Sequence, residues 1–325
     1  MRDTHRNLRS HRHSRFYIPE AVENDPNLAN YLQRGQLRWS SFYGHMLAED
    51  TAQILPWRND PSSGFSVSLD PHSSEIENLV TDALISPTGP SSNLETGVRY
   101  HLSWIAHMLL RGPAVYEIDF LSGPDDKTVA FRTGAIPPRS IDKLRGRYIQ
   151  YVPEELGEGR KHHGRFYIPL DADTLIWIRF RRRMHTTIRQ VAATLALADA
   201  QQVTPTTMLR AQVRDFDLNE FNNRRAREIL CATRDLGWSA RWAFNDQMTS
   251  PYIVWRHLQF QQFKISIRDA CIAGLNRTLA IAGAAIGFKA KIVLHGAITK
   301  DDLDQARRDL QTGSRPLTEL LRMQA

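Results

Sequence analysis

The chain has 325 residues, 42% of them hydrophobic, with 24% charged side chains, a net charge of +7 and a pI near 9.6. That apolar content supports a core, the length leaves room for two domains or one elongated one, and the basic excess favours polyanionic partners. The only cysteines, Cys231 and Cys271, have no CxxC or Cys/His spacing around them, which argues against a zinc module and a disulfide framework and suits a reducing compartment. The longest apolar run, Leu279–Phe288, contains two glycines and falls short of the ~18–20 residues that span a bilayer. The N-terminus has no apolar signal stretch, so the expectation is a cytosolic chain without membrane insertion.

Residues 1–15 carry Arg2, Arg6, Arg9, Arg12 and Arg15 against Asp3, with almost nothing apolar to bury. A basic N-terminal arm is therefore expected over 1–35, either lying along phosphate, gripping a neighbouring subunit, or simply solvated. A helical region over 36–132 follows. Residues 38–55 place Phe42, Met46, Leu47, Ile54 and Leu55 on one face before Pro56. Ser74-Glu75-Ile76-Glu77 and Ser92-Asn93-Leu94-Glu95 each read as a capping box. The first opens a helix with Ile76, Leu79, Val80 and Leu84 inward. The second opens a longer one with Leu94, Val98, Leu102, Ile105 and Leu109 inward, closed by Gly112-Pro113.

At Ala114 the period changes from helical to alternating. Ala114–Leu121 and Lys127–Arg132, joined by Ser122-Gly-Pro-Asp-Asp126, predict a hairpin. Further strands are expected at Arg147–Val152, Arg165–Ile168 and Thr174–Phe180, giving a β-rich basic section over 133–183. A long-helix region over 184–290 contains helices at 185–202, 216–236 and 252–282. In the last, Val254, Leu258, Ile265, Ile272, Leu275 and Leu279 form one stripe, and Phe260, Phe263, Ile267 and Ala270 a second on nearly the opposite side. Both faces need cover, either inside one domain or between subunits. The segment 291–325 should end in a helix capped by Thr299, with Asp301, Asp302 and Asp304 near its positive end and Gly313 at its close. The fold class is thus α+β and mainly helical.

Candidate chemistry is sparse. Glu117 and Asp119 are two apart on a strand, as a metal-dependent nuclease requires, but a polar outer face on the hairpin explains them more cheaply. Asp171 and Asp173 form a DxD that could hold a divalent ion; turn-forming aspartates before a strand are the plainer account. Gly283-Ala-Ala-Ile-Gly287 follows a helix and lacks the Lys-Ser/Thr of a phosphate loop, so it suits close packing or a helix cap. The basic residues speak louder. Between 139 and 183 there are eleven Lys/Arg against six Asp/Glu, with Arg160, Lys161, Arg165, Arg179, Arg181, Arg182 and Arg183 the expected phosphate contacts. His162 and His163 extend that loop, and Arg224, Arg225 and Arg227 form a further group.

Leu109–Arg183 carries a recognisable order of features: a helix ending in LLRGPAVYEIDF, a turn, VAFRTGAIPPRSI, a YIQYVP strand, then RFYIPLDADTLIWIRFRRR. This order resembles the middle of tailed-bacteriophage portal (head-to-tail connector) proteins. Gly112 and Pro113 match the helix-to-strand turn, Pro137 and Pro138 the extended segment, and Asp171–Phe180 the strand before the next helix. The resemblance implies a ring homo-oligomer, usually a dodecamer, around a channel for duplex DNA. It implies a helical wing and stem with a small α/β clip, no enzyme activity, no cofactor and no metal. Its partners would be the major capsid protein, the terminase motor and tail adaptor proteins; its place, the virion vertex, with host cytoplasm during assembly. The chain departs from the family by being short and basic, where channel linings are often acidic. A ring subunit would use Val254, Leu258, Phe260, Phe263, Ile265 and Ile267 in oligomer packing. Two other classes compete: a sequence-nonspecific nucleic-acid-binding protein acting as monomer or dimer, and a metal-dependent nuclease built on Glu117, Asp119 and Asp171 or Asp173.

Overall fold

The computed structural model describes residues 9–10, 41–56, 64–84, 91–151, 167–202, 218–240 and 251–324. These are mainly helical, with small antiparallel sheets, in keeping with a mixed α+β chain. In chain order the elements are β1 (Arg9–Ser10), α1 (Phe42–Ala52), β2 (Ser66–Asp70), α2 (Ser74–Ala83), α3 (Leu94–Arg111), β3 (Ala114–Ser122) and β4 (Thr128–Ala135). Then come β5 (Ile141–Leu144), β6 (Arg147–Tyr151), β7 (Tyr167–Leu170), β8 (Leu175–Ile178), α4 (Arg182–Gln202) and α5 (Leu218–Ala232). The chain closes with α6 (Pro251–Ile286), β9 (Lys291–His295), α7 (Lys300–Thr312) and α8 (Leu317–Leu321).

The chain forms two compact units, each assembled from separated stretches. The first holds the described parts of 1–36, 66–179 and 270–295; the second those of 37–65, 180–269 and 296–325. One helix, α6, contributes its first half to the second unit and its last turns to the first.

In the first unit β3 is the central strand of a sheet. β4 pairs along one edge; β8 and then β1 pair along the other. The helix α3 that precedes it is capped by Asn93, whose Oδ1 accepts from Thr96 N at 2.8 Å, one residue later than the capping-box reading. The Ser74 box shifts the other way: Ser73 caps α2, its Oγ accepting from Ile76 N. Both shifts have one cause, since adjacent cap-competent side chains leave the boundary to tertiary packing. The inward stripe Leu94, Val98, Leu102, Ile105, Leu109 is buried as its period requires. Gly112 caps the helix C-terminus.

A second, three-stranded sheet runs β5-β6-β7, and Ile141, Tyr148 and Trp177 pack against the buried cluster Val115, Ile136, Leu170, Leu175. A two-stranded ribbon pairs β2 with β9, more than two hundred residues apart; Asn276 on α6 clasps it through Ile292 N and O (2.7 and 3.3 Å). Tyr116 Oη meets Thr278 Oγ1 at 2.8 Å, fastening α6 to the central strand. Glycine serves both expected roles at the end of α6. Gly287 takes a positive φ of 96° just past the helix, and a Cβ on Gly283 would stand 2.3 Å from the Phe288 carbonyl oxygen.

In the second unit Val254, Leu258 and Ile265 of α6 pack on Leu303, Ala306 and Leu320 of α7 and α8. The Thr299 cap of α7 is reciprocal with Asp302, and Gly313 closes the helix in the left-handed region, as its sequence indicates. α1 starts later than its pattern, and Met46, Leu47, Ile54 and Leu55 of the expected face are buried together with Tyr43, while Phe42 is 63% exposed. Its N-cap, Ser41, explains the late start.

Candidate nucleic-acid interface

The sequence-predicted phosphate contacts separate into three groups. Arg160, Lys161 and Arg165, with His162 and His163, lie outside the described residues, as do the side chains of Arg224 and Arg225. Arg181, Arg182 and Arg183 are exposed where α4 begins. No acid occupies the first turn, so cations meet the positive end of the helix dipole, and none of the three has an acidic partner among the described residues. Charge placed so unfavourably for the helix itself attracts anions from solution. Arg179, which ends the 66–179 stretch of the first unit, is exposed and stacks over Trp177, its guanidinium carbon 4.3 Å from the ring centroid.

That stack continues. The Trp177 ring lies 6.0 Å from that of Tyr148, tilted by 37°. Tyr148 in turn lies 5.6 Å under the Lys143 ammonium. Lys143, Tyr148, Trp177 and Arg179 thus form a cation–ring–ring–cation ladder from β5 through β6 to the end of β8. Strand register builds it: Lys143 is the cross-strand partner of Tyr148, and Trp177 that of Val115, which belongs to the same buried cluster. The half-buried rings hold both charged groups at defined positions on side chains that are otherwise exposed. With both ring faces occupied, the ladder suits phosphate contact better than stacking of bases.

The acidic candidates are placed differently from the expectation. Glu117 and Asp119 do not lie on a polar outer face: β3 is paired on both edges and both carboxylates are buried. The Asp119 Oδ2 accepts from Arg132 Nε at 2.8 Å, between directly opposed residues of β3 and β4. A site that needs both carboxylates open to substrate is not what this strand offers. Asp171 and Asp173 take the turn role: Asp171 Oδ1 accepts from Asp173 N at 2.9 Å, and Thr174 donates to the Asp171 carbonyl. Among the described residues no group of three or more His, Cys, Asp or Glu is placed to hold a metal ion.

The stripe residues of α6 named for oligomer packing, Val254, Leu258, Phe260, Phe263, Ile265 and Ile267, are all buried within the chain. Phe263 packs against Phe180 and Phe260, with centroids 6.4 and 6.3 Å apart. The expected need for cover on both faces is met by the chain's own side chains, so this stripe is not an open surface awaiting a neighbour.

No family model matches the chain. No curated protein matches it either. Among solved structures, one chain from the "Neck of empty GTA particle computed with C6 symmetry" aligns over 91% of this chain and 86% of that chain, at 11% identity and a TM-score of 0.39. Likeness at that level transfers neither architecture nor function. No helix among the described residues is long and apolar enough to cross a membrane.

Sequence reasoning missed the two aromatic members of the ladder, Tyr148 and Trp177. An aromatic directly preceding a basic strand end, WIRFRRR, was the available signal; the pairing of Tyr148 with it depends on packing between two sheets and has no local trace.

Proposed function

We propose that this chain is a structural subunit of a portal-like ring at the vertex of a tailed-phage-type particle, conducting duplex DNA without covalent chemistry of its own. The observation that carries the reading is the order of features from Leu109 to Arg183. The segments carrying the resemblance fold around one strand: α3 turns at Gly112 into β3, and β4 and β8 both pair with it before the basic tract opens α4. The aromatic–cation ladder supports a surface that meets phosphate regardless of base sequence. The partners implied are further copies of the chain, duplex DNA, a capsid protein, a packaging motor and tail adaptors.

The ladder also favours a second reading, a nucleic-acid-binding protein that acts as a monomer or dimer, since it lies in one unit and needs no ring. Solution mass by light scattering, with negative-stain images of the largest species, separates the two. Rings of about a dozen copies with a central hole are the expected outcome. A monodisperse monomer or dimer at high concentration, with or without DNA, would sink the portal reading and leave the second.

A further inference from the structure

We propose that the tip of the β5–β6 hairpin is a duplex-DNA contact, in which Leu144 enters the minor groove while Arg145 and Arg147 hold the flanking phosphates. The inference rests on the DNA-conducting reading above and assigns it a specific element. The hairpin is closed by a two-residue turn, Arg145-Gly146, with φ of 50° and 86°. Both central residues are therefore left-handed, a turn for which Asn, Asp or Gly is the routine first residue. An arginine there is the costlier choice for the fold, and its side chain makes no interaction among the described residues that would offset the cost. Strain kept at a loop tip points to a role outside the fold.

Register places the rest. Leu144 is directly opposite Arg147, next to the turn, and Lys143 is opposite Tyr148. Ile141 and Tyr148 face the buried cluster, so Leu144, Arg147, Asp142 and Ile149 share the other face. Leu144 is 59% exposed there. The base of the hairpin is anchored and its end stands clear: three cations, one apolar side chain, and a single acid, Asp142. A leucine flanked by arginines is the pattern of an apolar wedge that unstacks a base step while cations neutralise the adjacent phosphates. One leucine offers too little apolar area to hold a bilayer or fill a protein groove.

The test uses the full chain with a mixed-sequence duplex of about 30 base pairs, labelled at both ends and titrated at several salt concentrations. Arg145→Asn should weaken binding by about 3- to 10-fold and lower the slope of log K against log salt by about 0.9, one phosphate contact, while leaving the melting temperature unchanged or raised. Leu144→Ser should weaken binding by several fold, leave the salt slope as it was, and reduce the end-to-end energy-transfer change that reports bending. Both variants binding and bending the duplex like the wild type would overturn the proposal, as would no duplex binding by the wild type. A loss seen on phosphatidylserine vesicles, with duplex binding intact, would overturn it in favour of a membrane contact. The ring question is separate: tip variants that lose DNA binding without any ring uphold the tip and sink the portal reading, and rings with wild-type-like tip variants do the reverse.

Discussion

Two sets of cations in this chain have opposite fates. Along α6 in the second unit, Arg256, Lys264 and Arg268 are buried. In the first unit Lys143, Arg145, Arg147 and Arg179 are exposed and ordered by aromatic stacking or by a tight turn. The buried set works on the fold. Arg256 donates to the carbonyls of Leu230 and Trp238, to Thr233 Oγ1, Ser239 Oγ and Tyr252 Oη, with no carboxylate partner among the described residues. It thereby satisfies acceptors at and beyond the C-terminus of α5, where the helix dipole is negative. Net charge alone therefore misleads about partners, since part of a +7 excess is spent on capping a helix from inside.

The comparison breaks most visibly at Arg256. Arg256→Met strands several buried acceptors, and we predict a loss of about 3–5 kcal/mol in urea unfolding, with duplex affinity per folded molecule unchanged. Next comes Gly237, in the same corner. Its φ is 79°, and a Cβ would stand 2.4 Å from the Arg256 carbonyl oxygen, a backbone atom that cannot swing aside. Gly237→Ala should cost about 2–4 kcal/mol by the same assay; a loss near zero would mean that α6 and the 233–238 turn are not in close contact.

Buried bases sharpen the contrast through pH. His101 in the first unit is held neutral, its pKa driven by burial down to about 3, with its ring edge-on to Tyr116 at 5.3 Å. A depressed base loses stability as pH falls, because the unfolded chain takes up the proton from about pH 6.5 downward while the folded one resists until near 3. Thermal melts of His101→Phe against wild type should converge on the same acid sensitivity only if other groups dominate; we expect the wild type to lose more between pH 6.5 and 4. Lys264 gives a smaller effect of the same sign. Burial lowers its pKa to about 8, Asp50 partly offsetting that and Arg268 adding to it. At pH 7 the fold carries a buried ammonium, so Lys264→Met should stabilise by about 1–2 kcal/mol, an advantage that shrinks between pH 8 and 10 as the wild-type amine discharges.

How legible was all this? Helix α7 was, down to its cap, because Thr299, Asp302 and Gly313 act on their own backbone within one turn. So were α3 and the β3–β4 hairpin, where period and turn chemistry agree. The β2–β9 ribbon was not: its five-residue strands are paired over more than two hundred residues, and although Ser66–Asp70 alternates, Lys291–His295 does not, so nothing local joins the two. Burial of Glu117 and Asp119 was likewise invisible, because a strand flanked on both edges reads locally like one with a polar face. At the candidate interface the arginines themselves were legible. Which of the chain's cations are buried was not, since Arg256 and Arg268 differ from exposed arginines only in what tertiary structure brings to them.

The most direct measurement is the salt dependence of duplex-DNA affinity for the wild type, for Arg179→Gln and Lys143→Gln, and for Lys264→Met. If exposed cations meet phosphate and buried ones hold the fold, each exposed substitution lowers the slope of log K against log salt by about 0.9 and Lys264→Met leaves it unchanged. Equal slopes for all four proteins, or a slope that falls with Lys264→Met alone, would contradict the account.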